Sequence, residues 1–318
     1  MRLRQIDAFR GLAIVLMVFF TLYALLSGGP DFLMHNKQDS LHAGDFVLPL
    51  FIFASGMSLF FFAQKRKGSP KNYALDSIGR FGKLVLISFF LMLLAGAAPF
   101  TMDEVMLIAL LSLPTLLIAV LPELFIYAGI LLPPALYLAL LSADALPDFS
   151  AAYLGGYPAA VFYLPVMLFG FLAGKSIYEK KGLLPIFAAT LFLSVALLFL
   201  VPPYKMGASP SFMALASLLS IMLYICVGRA IRIRSLSALS PFFFEYLGRR
   251  PIRYWALMFV FFVIPVRFYL FANQMPAPVG LGPVQAASVS MAFLLFLFLV
   301  SKLTDGIVGF IETASEKN

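Results

Sequence analysis

The sequence predicts an all-α polytopic membrane protein, with about ten transmembrane helices and both termini on the inner side. Three observations carry that prediction. Of the 318 residues, 62% are hydrophobic and only 12% charged, and the mean hydropathy is +0.97, far from the balance of a soluble domain. Long uncharged windows recur along the whole chain, and about 20 apolar residues are what a helix needs to cross hydrocarbon with every backbone amide satisfied internally. The cationic side chains also sort to alternate loops, as cytoplasmic retention of Lys and Arg demands.

In chain order the windows are 11–29, 46–63, 84–101, 105–122, 124–143, 149–174, 182–204 and 206–228. A ninth, 254–266, is short and reaches membrane length if Arg253 and Arg267 snorkel to opposite interfaces. The tenth starts near Pro283, because Met275-Pro-Ala-Pro-Val-Gly-Leu-Gly-Pro283 reads as a turn-rich loop. With the N-terminus inside, all of the 23 lysines and arginines except Lys37, Lys205 and Arg267 fall on the inner side. Arg2 and Arg4 precede a first window too long for a cleaved signal, so it is read as a retained helix. No loop is long enough to fold alone and no internal repeat is evident, so residues 1–318 read as one membrane domain.

The net charge of +8 follows from this topology and is no nucleic-acid signature, since no separate basic domain carries a groove or arm. The inner cations meet anionic lipid headgroups or attract a polyanionic cosubstrate. The single cysteine, Cys226, lies in an apolar window, and no Cys/His cluster has metal-ligand spacing. No metal site is expected.

Proton chemistry near neutral pH needs imidazole, and the only two histidines, His35 and His42, lie in the loop between the first two windows. That loop is the candidate active site, and the topology puts it outside. Asp45 opens the second window, where a carboxylate caps free amides and is favoured by the helix dipole. It can equally orient a histidine by accepting from its ring nitrogen. In the first helix Asp7 and Arg10 stand three residues apart on one face, where they can pair, and Gly11 beside them lets another backbone approach.

The segment Gln5-Ile-Asp-Ala-Phe-Arg-Gly-Leu-Ala-Ile-Val-Leu-Met-Val-Phe19, His35 ten residues before Asp45, and Asp45-Phe-Val-Leu-Pro-Leu-Phe-Ile-Phe-Ala-Ser-Gly56 together resemble the heparan-alpha-glucosaminide N-acetyltransferase family, within the wider transmembrane acyltransferases. The signature occupies residues 5–60. Two later stretches are similar to family motifs: Tyr163-Leu-Pro-Val-Met-Leu-Phe-Gly-Phe-Leu-Ala-Gly174, and Leu247-Gly-Arg-Arg-Pro-Ile-Arg-Tyr254, which looks like the Leu-Gly-Arg-Asn stretch before a late helix. The chain departs from the family between the histidine and the aspartate, where Gln38-Asp39-Ser40 replaces a Trp-Asn-Gly or Trp-His-Gly stretch. It departs again at Thr21 and at Leu111-Ser112. These differences leave the acceptor open.

The resemblance implies an enzyme that takes an acyl group, usually acetyl, from cytosolic acyl-CoA and delivers it to an amine or hydroxyl of an extracytoplasmic, sugar-containing acceptor. His35 inherits the catalytic role, as general base or acyl relay; Asp45 supports it, and His42 is a secondary candidate. The CoA phosphates cannot enter hydrocarbon, so Arg10, Asp7, Arg80, Lys83, Arg249 and Arg250 are the candidates at the inner mouth. A prokaryotic plasma membrane is the expected location, and a homodimer is compatible with the sequence. The rival reading is a transporter or flippase, suggested by ten spans and by Pro133-Pro134 and Pro202-Pro203 interrupting helices. A nonenzymatic scaffold is the third.

Overall fold

The computed structural model describes residues 4–27, 41–66, 68, 70–94, 96, 102–149, 153–205, 207–232, 240–272 and 279–315. Among these the regular elements are helices, with one isolated bridge from Ser27 to Leu281. They are α1 (Arg4–Leu26), α2 (Val47–Arg66, entered through a 3-10 turn at Ala43–Phe46), α3 (Pro70–Leu94), α4 (Glu104–Ile118), α5 (Leu124–Ser142) and α6 (Gly156–Tyr178). There follow α7 (Leu184–Leu198), α8 (Pro210–Arg232), α9 (Ser240–Arg249), α10 (Pro251–Met258), α11 (Ile264–Ala272) and α12 (Pro283–Ser315). A π turn, Phe259–Val263, joins α10 to α11, so that Pro251–Leu270 forms one membrane-length rod.

Eight helical segments among the described residues are long and apolar enough to cross a membrane, which makes this a multi-pass integral membrane protein. The expected windows at 105–122 and 182–204 correspond to the shorter apolar helices α4 and α7, of 15 residues each. The largest shift in register is at α3. Its start lies at Pro70 rather than near residue 84, so Arg80 and Lys83 sit on the helix instead of in an inner loop. Arg80 is accommodated because its guanidinium lies 5.8 Å from the Phe62 ring centre on α2. α5 runs unbroken through Pro133 and Pro134, and Pro202 and Pro203 lie beyond the end of α7. The broken helices that favoured a transporter are therefore not formed. α12 begins at Pro283, where proline's missing amide costs nothing.

α1, α2, α6 and α8 form the inner group, while α3, α5, the α10–α11 rod and α12 turn more of their surface outward. Leucine and phenylalanine side chains such as Leu93, Leu132, Phe192 and Phe268 are exposed on that outer shell, as lipid contact requires. Lipid tails are as apolar as leucine, so helix pairs in a bilayer gain by close backbone approach at small residues. Two such crossings organise the bundle. On α2 and α6, a methyl group added at Gly56 would lie 2.0 Å from the Met167 carbonyl oxygen, and one at Gly170 would lie 2.1 Å from that of Phe53. On α1 and α9, a methyl at Gly11 would lie 1.9 Å from the Phe244 oxygen, and one at Gly248 would lie 1.7 Å from the Asp7 oxygen. The glycines of all four resembling segments thus lie at two helix crossings.

The sequence windows contain no counterpart of α9, a ten-residue helix too short to span. It is pinned between α1 and α12: Tyr246 donates to Asp305 at 2.8 Å, and Arg250 and Arg253 pair with the same carboxylate at 2.6 and 2.7 Å. Glu245, buried beside α1, has its carboxyl pushed above the ordinary range by desolvation, against the pull of Arg4 and Arg249 and with the push of Asp7.

Candidate active site

Asp45 stands in the 3-10 turn that leads into α2, with its side chain wholly buried. One carboxylate oxygen, Oδ2, accepts the His42 backbone N–H at 2.9 Å. The other, Oδ1, accepts from Lys205 Nζ at 2.7 Å, and the Lys205 side chain is only 13% exposed. The capping role expected of Asp45 is thereby observed, together with an ion pair that spans 160 positions of sequence. Two charges taken out of water are tolerable when each is compensated at contact distance and otherwise hydrogen-bonded.

The turn between α7 and α8 is shaped to deliver that lysine. Ser209 Oγ accepts the Tyr204 amide at 2.8 Å, and the Ala208 amide donates to the Lys205 carbonyl at 2.9 Å. Ala208 closes the turn in the left-handed region at φ 50°. The Phe149 ring fills the space over Gly207 so closely that a methyl there would come to 2.9 Å from it. Tyr163, buried on α6, directs its hydroxyl at the Lys205 carbonyl from 3.5 Å.

Lys205 lines a cavity of about 20 Å³ with Met17, Phe20, Thr21, Val47, Leu48, Glu104 and Leu154. Leu154 holds a left-handed backbone at φ 56°, a strained conformation of the kind that clusters at functional sites. A second cavity of about 30 Å³ is lined by residues that include Arg10, Arg80, Ser55, Ile108 and Trp255. Met17 and Glu104 belong to both. Each has room for one or two waters, and Glu104, Arg10, Arg80 and Lys205 bring charge to their otherwise mainly apolar walls. Larger grooves open elsewhere on the outer shell, about 620 Å³ along α3 and about 570 Å³ between α5, α6 and α7.

The structure brings some of the expected site residues together and separates others. Arg10 and Arg80, from α1 and α3, face one cavity. Asp7 lies 3.7 Å from Arg10 as the spacing predicts. Lys83 instead lines the groove on α3 with Leu86 and Phe90. Arg250 is committed to Asp305, while Arg249 stands at the exposed end of α9. His42 is half-buried and serves Asp45 through its backbone amide. His35 lies outside the described residues. Lys205 and Glu104 were not among the sequence candidates, although Lys205 is one of only three cations on the expected outer side, which was the available signal. Among the described residues, no three His, Cys, Asp or Glu side chains converge as a metal would require.

The family model "Heparan-alpha-glucosaminide N-acetyltransferase, catalytic" matches residues 2–198, from α1 to the end of α7. The chain belongs to this family. Membership assigns the protein to the transmembrane acetyltransferases, and the Asp45 turn, Arg10, Arg80 and Glu104 all fall inside the matched region. Lys205 falls outside it. Comparison with curated proteins gives no match.

Proposed function

We propose that the protein transfers an acetyl or other short acyl group from cytosolic acyl-CoA to an amine or hydroxyl of a sugar-containing acceptor on the opposite side of a prokaryotic plasma membrane. The observation that carries this reading is the pair of adjoining cavities. Two cations suited to a phosphorylated donor, Arg10 and Arg80, lie on one, Lys205, the partner of Asp45, lines the other, and Met17 and Glu104 are common to both. A thioester carbonyl is already electrophilic, so the protein's task is to position donor and acceptor and to remove one proton.

In this scheme the CoA phosphates rest at the inner mouth near Arg10 and Arg80, with Asp7 bracing Arg10; Arg249, Arg250 and Lys83 are the outlying candidates. The acyl end reaches the outer site past Met17, which must swing aside because the cavities are too narrow for a pantetheine arm. His35 acts there in one of two ways. As a base it takes the acceptor's proton while the acceptor attacks the thioester carbonyl and CoA thiolate leaves. As a relay its ring nitrogen attacks first and CoA leaves as the thiol with the imidazole's proton; the acceptor then attacks the acylimidazole carbonyl, and the ring departs as neutral imidazole after taking up the acceptor's proton. Asp45 orients that chemistry, and His42 is the reserve base.

Purified protein incubated with acetyl-labelled acetyl-CoA in a single turnover should retain label on the chain if the relay operates, and His35→Ala should abolish it. Turnover without any chain-bound label would sink the relay and leave direct transfer. Arg80→Met should raise KM for acetyl-CoA about tenfold, equivalent to about 1.4 kcal/mol, with a smaller change in kcat. An unchanged KM would remove Arg80 from the donor site.

A further inference from the structure

We infer that the acceptor is a sugar carried on a membrane lipid, whose apolar chain lies in a groove between α1, α2 and α8 beside the candidate site; this choice of substrate class rests on the acyl transfer proposed above. The groove has a volume of about 290 Å³, an order of magnitude above the two site cavities and close to the lower bound of about 300 Å³ for small-molecule pockets. It starts at Ala43 and Phe46, in the 3-10 turn that holds Asp45, and follows Val47 into α2. The facing wall on α8 runs from Ala216 to Leu223, two helical turns or roughly 10 Å. That is about a third of the hydrocarbon thickness, enough for the part of a chain next to its head group.

Continuity with the site singles this groove out. Phe20 and Val47 line it and also line the cavity that contains Lys205 and Glu104. Among the described residues, the two larger grooves on the outer shell share no lining residue with either site cavity. The chemistry of the walls suits hydrocarbon. Of the described lining residues Ser220 alone has a polar side chain, and its hydroxyl donates to the Ala216 carbonyl at 2.7 Å. A sugar placed there would give up its hydrogen bonds to water with none in return, whereas a methylene chain loses nothing. The wall is preformed: the Phe46 ring lies 5.4 Å from that of the fully buried Phe212 on α8. Leu16, Leu219 and Leu223 keep part of their surface exposed along the groove, which lies between three membrane-length helices, so a chain enters sideways from the bilayer. Lipid tails are as apolar as leucine, so the groove adds little affinity. Its contribution is register, holding the amine or hydroxyl of the head group against the cavity beside the Asp45 turn.

Two measurements on the full-length protein test this. Membranes are taken from source cells that lack the chromosomal copy and express wild type, Leu223→Trp or Leu219→Trp, whose indoles would fill the groove, and are given acetyl-labelled acetyl-CoA. Label should enter a chloroform-soluble product in wild type and fall about tenfold per folded molecule in both variants, while Val195→Trp, at a half-exposed position on α7, should match wild type. In the second measurement, purified protein in phosphatidylcholine nanodiscs is irradiated with dodecyl glucosaminide carrying a diazirine on its chain. Cross-links should cluster on the groove segments of α1, α2 and α8, be displaced by plain dodecyl glucosaminide and be lost in Leu223→Trp. Label confined to a water-soluble glycan, or cross-links spread evenly over the outer shell, would overturn the lipid-linked acceptor and leave acyl transfer standing. Lipid-phase label that both groove variants leave unchanged would overturn the groove as the seat of the chain. Cross-links in the groove with no labelled product in either phase would instead overturn the proposed function, leaving the groove as a glycolipid site.

Discussion

Gly170→Val is expected to yield no assembled protein. The added methyl would lie 2.1 Å from the Phe53 carbonyl oxygen, 2.9 Å from its carbon and 3.1 Å from its α carbon. All three are backbone atoms of α2, so no rotamer change relieves the clash. The helices would have to part, and with them the reciprocal contact in which the Met167 carbonyl packs against Gly56. α2 and α6 are the most deeply buried of the membrane-length helices among the described residues. Separating them would open the core on both sides, a cost above the roughly 4–5 kcal/mol that marks exceptional substitutions. Size-exclusion chromatography and thermal unfolding of the detergent-solubilised protein check this. Gly79→Ala on α3 is the control, because a methyl there meets nothing within 4 Å, and it should be neutral or slightly stabilising. A monodisperse Gly170→Val with a near-wild-type Tm would disprove the role of the crossing.

Asp45→Leu should be severe in two separable ways. It leaves the Lys205 ammonium largely buried without its partner, which costs about 3–5 kcal/mol, and it removes the carboxylate expected to orient the reacting imidazole, which should lower acetyl transfer by about 10²–10⁴-fold. The double substitution Asp45→Leu/Lys205→Met tells these apart. Exchanging both charges for apolar groups should recover most of the thermal stability, since buried pairs are often no more stable than apolar replacements. It should recover none of the activity. If the double variant regains transfer along with stability, Asp45 is a structural cap and the reaction is conducted elsewhere.

Helices were legible because hydrocarbon forces each crossing segment to be apolar and long, so nearly every window has a helix behind it. Their starts were less legible. α3 begins in Pro-Lys-Asn-Tyr-Ala-Leu-Asp, where charge masks helical continuation, and Arg80 was accordingly placed outside the bundle when it lies over Phe62. Backbone approach at Gly11 could be anticipated from residue size alone, but its partner, Gly248 on α9, could not: a ten-residue helix carries no hydropathy signal, and its place is set by Tyr246, Arg250 and Arg253 meeting Asp305. At the site, sequence supplied Asp45 as a helix start and Asp7 with Arg10 as a pair. It could not supply Lys205, because an ion pair formed by two loops leaves no spacing to read. Nor could it join Arg10 to Arg80, whose meeting depends on how α1 and α3 face one cavity.

The seating of α9 against α1 bears on how the gene can be cut and how it can drift. The family-model match ends at residue 198, yet the carbonyl of Asp7 rests against Gly248, and Asp45 closes on Lys205. A fragment trimmed to the recognisable part would expose the slot at Gly11 and strand a buried anion. The remaining stretch is therefore held to the first helix and the Asp45 turn at a few positions, Lys205 and Gly248 among them, while its lipid-facing letters carry no such tie.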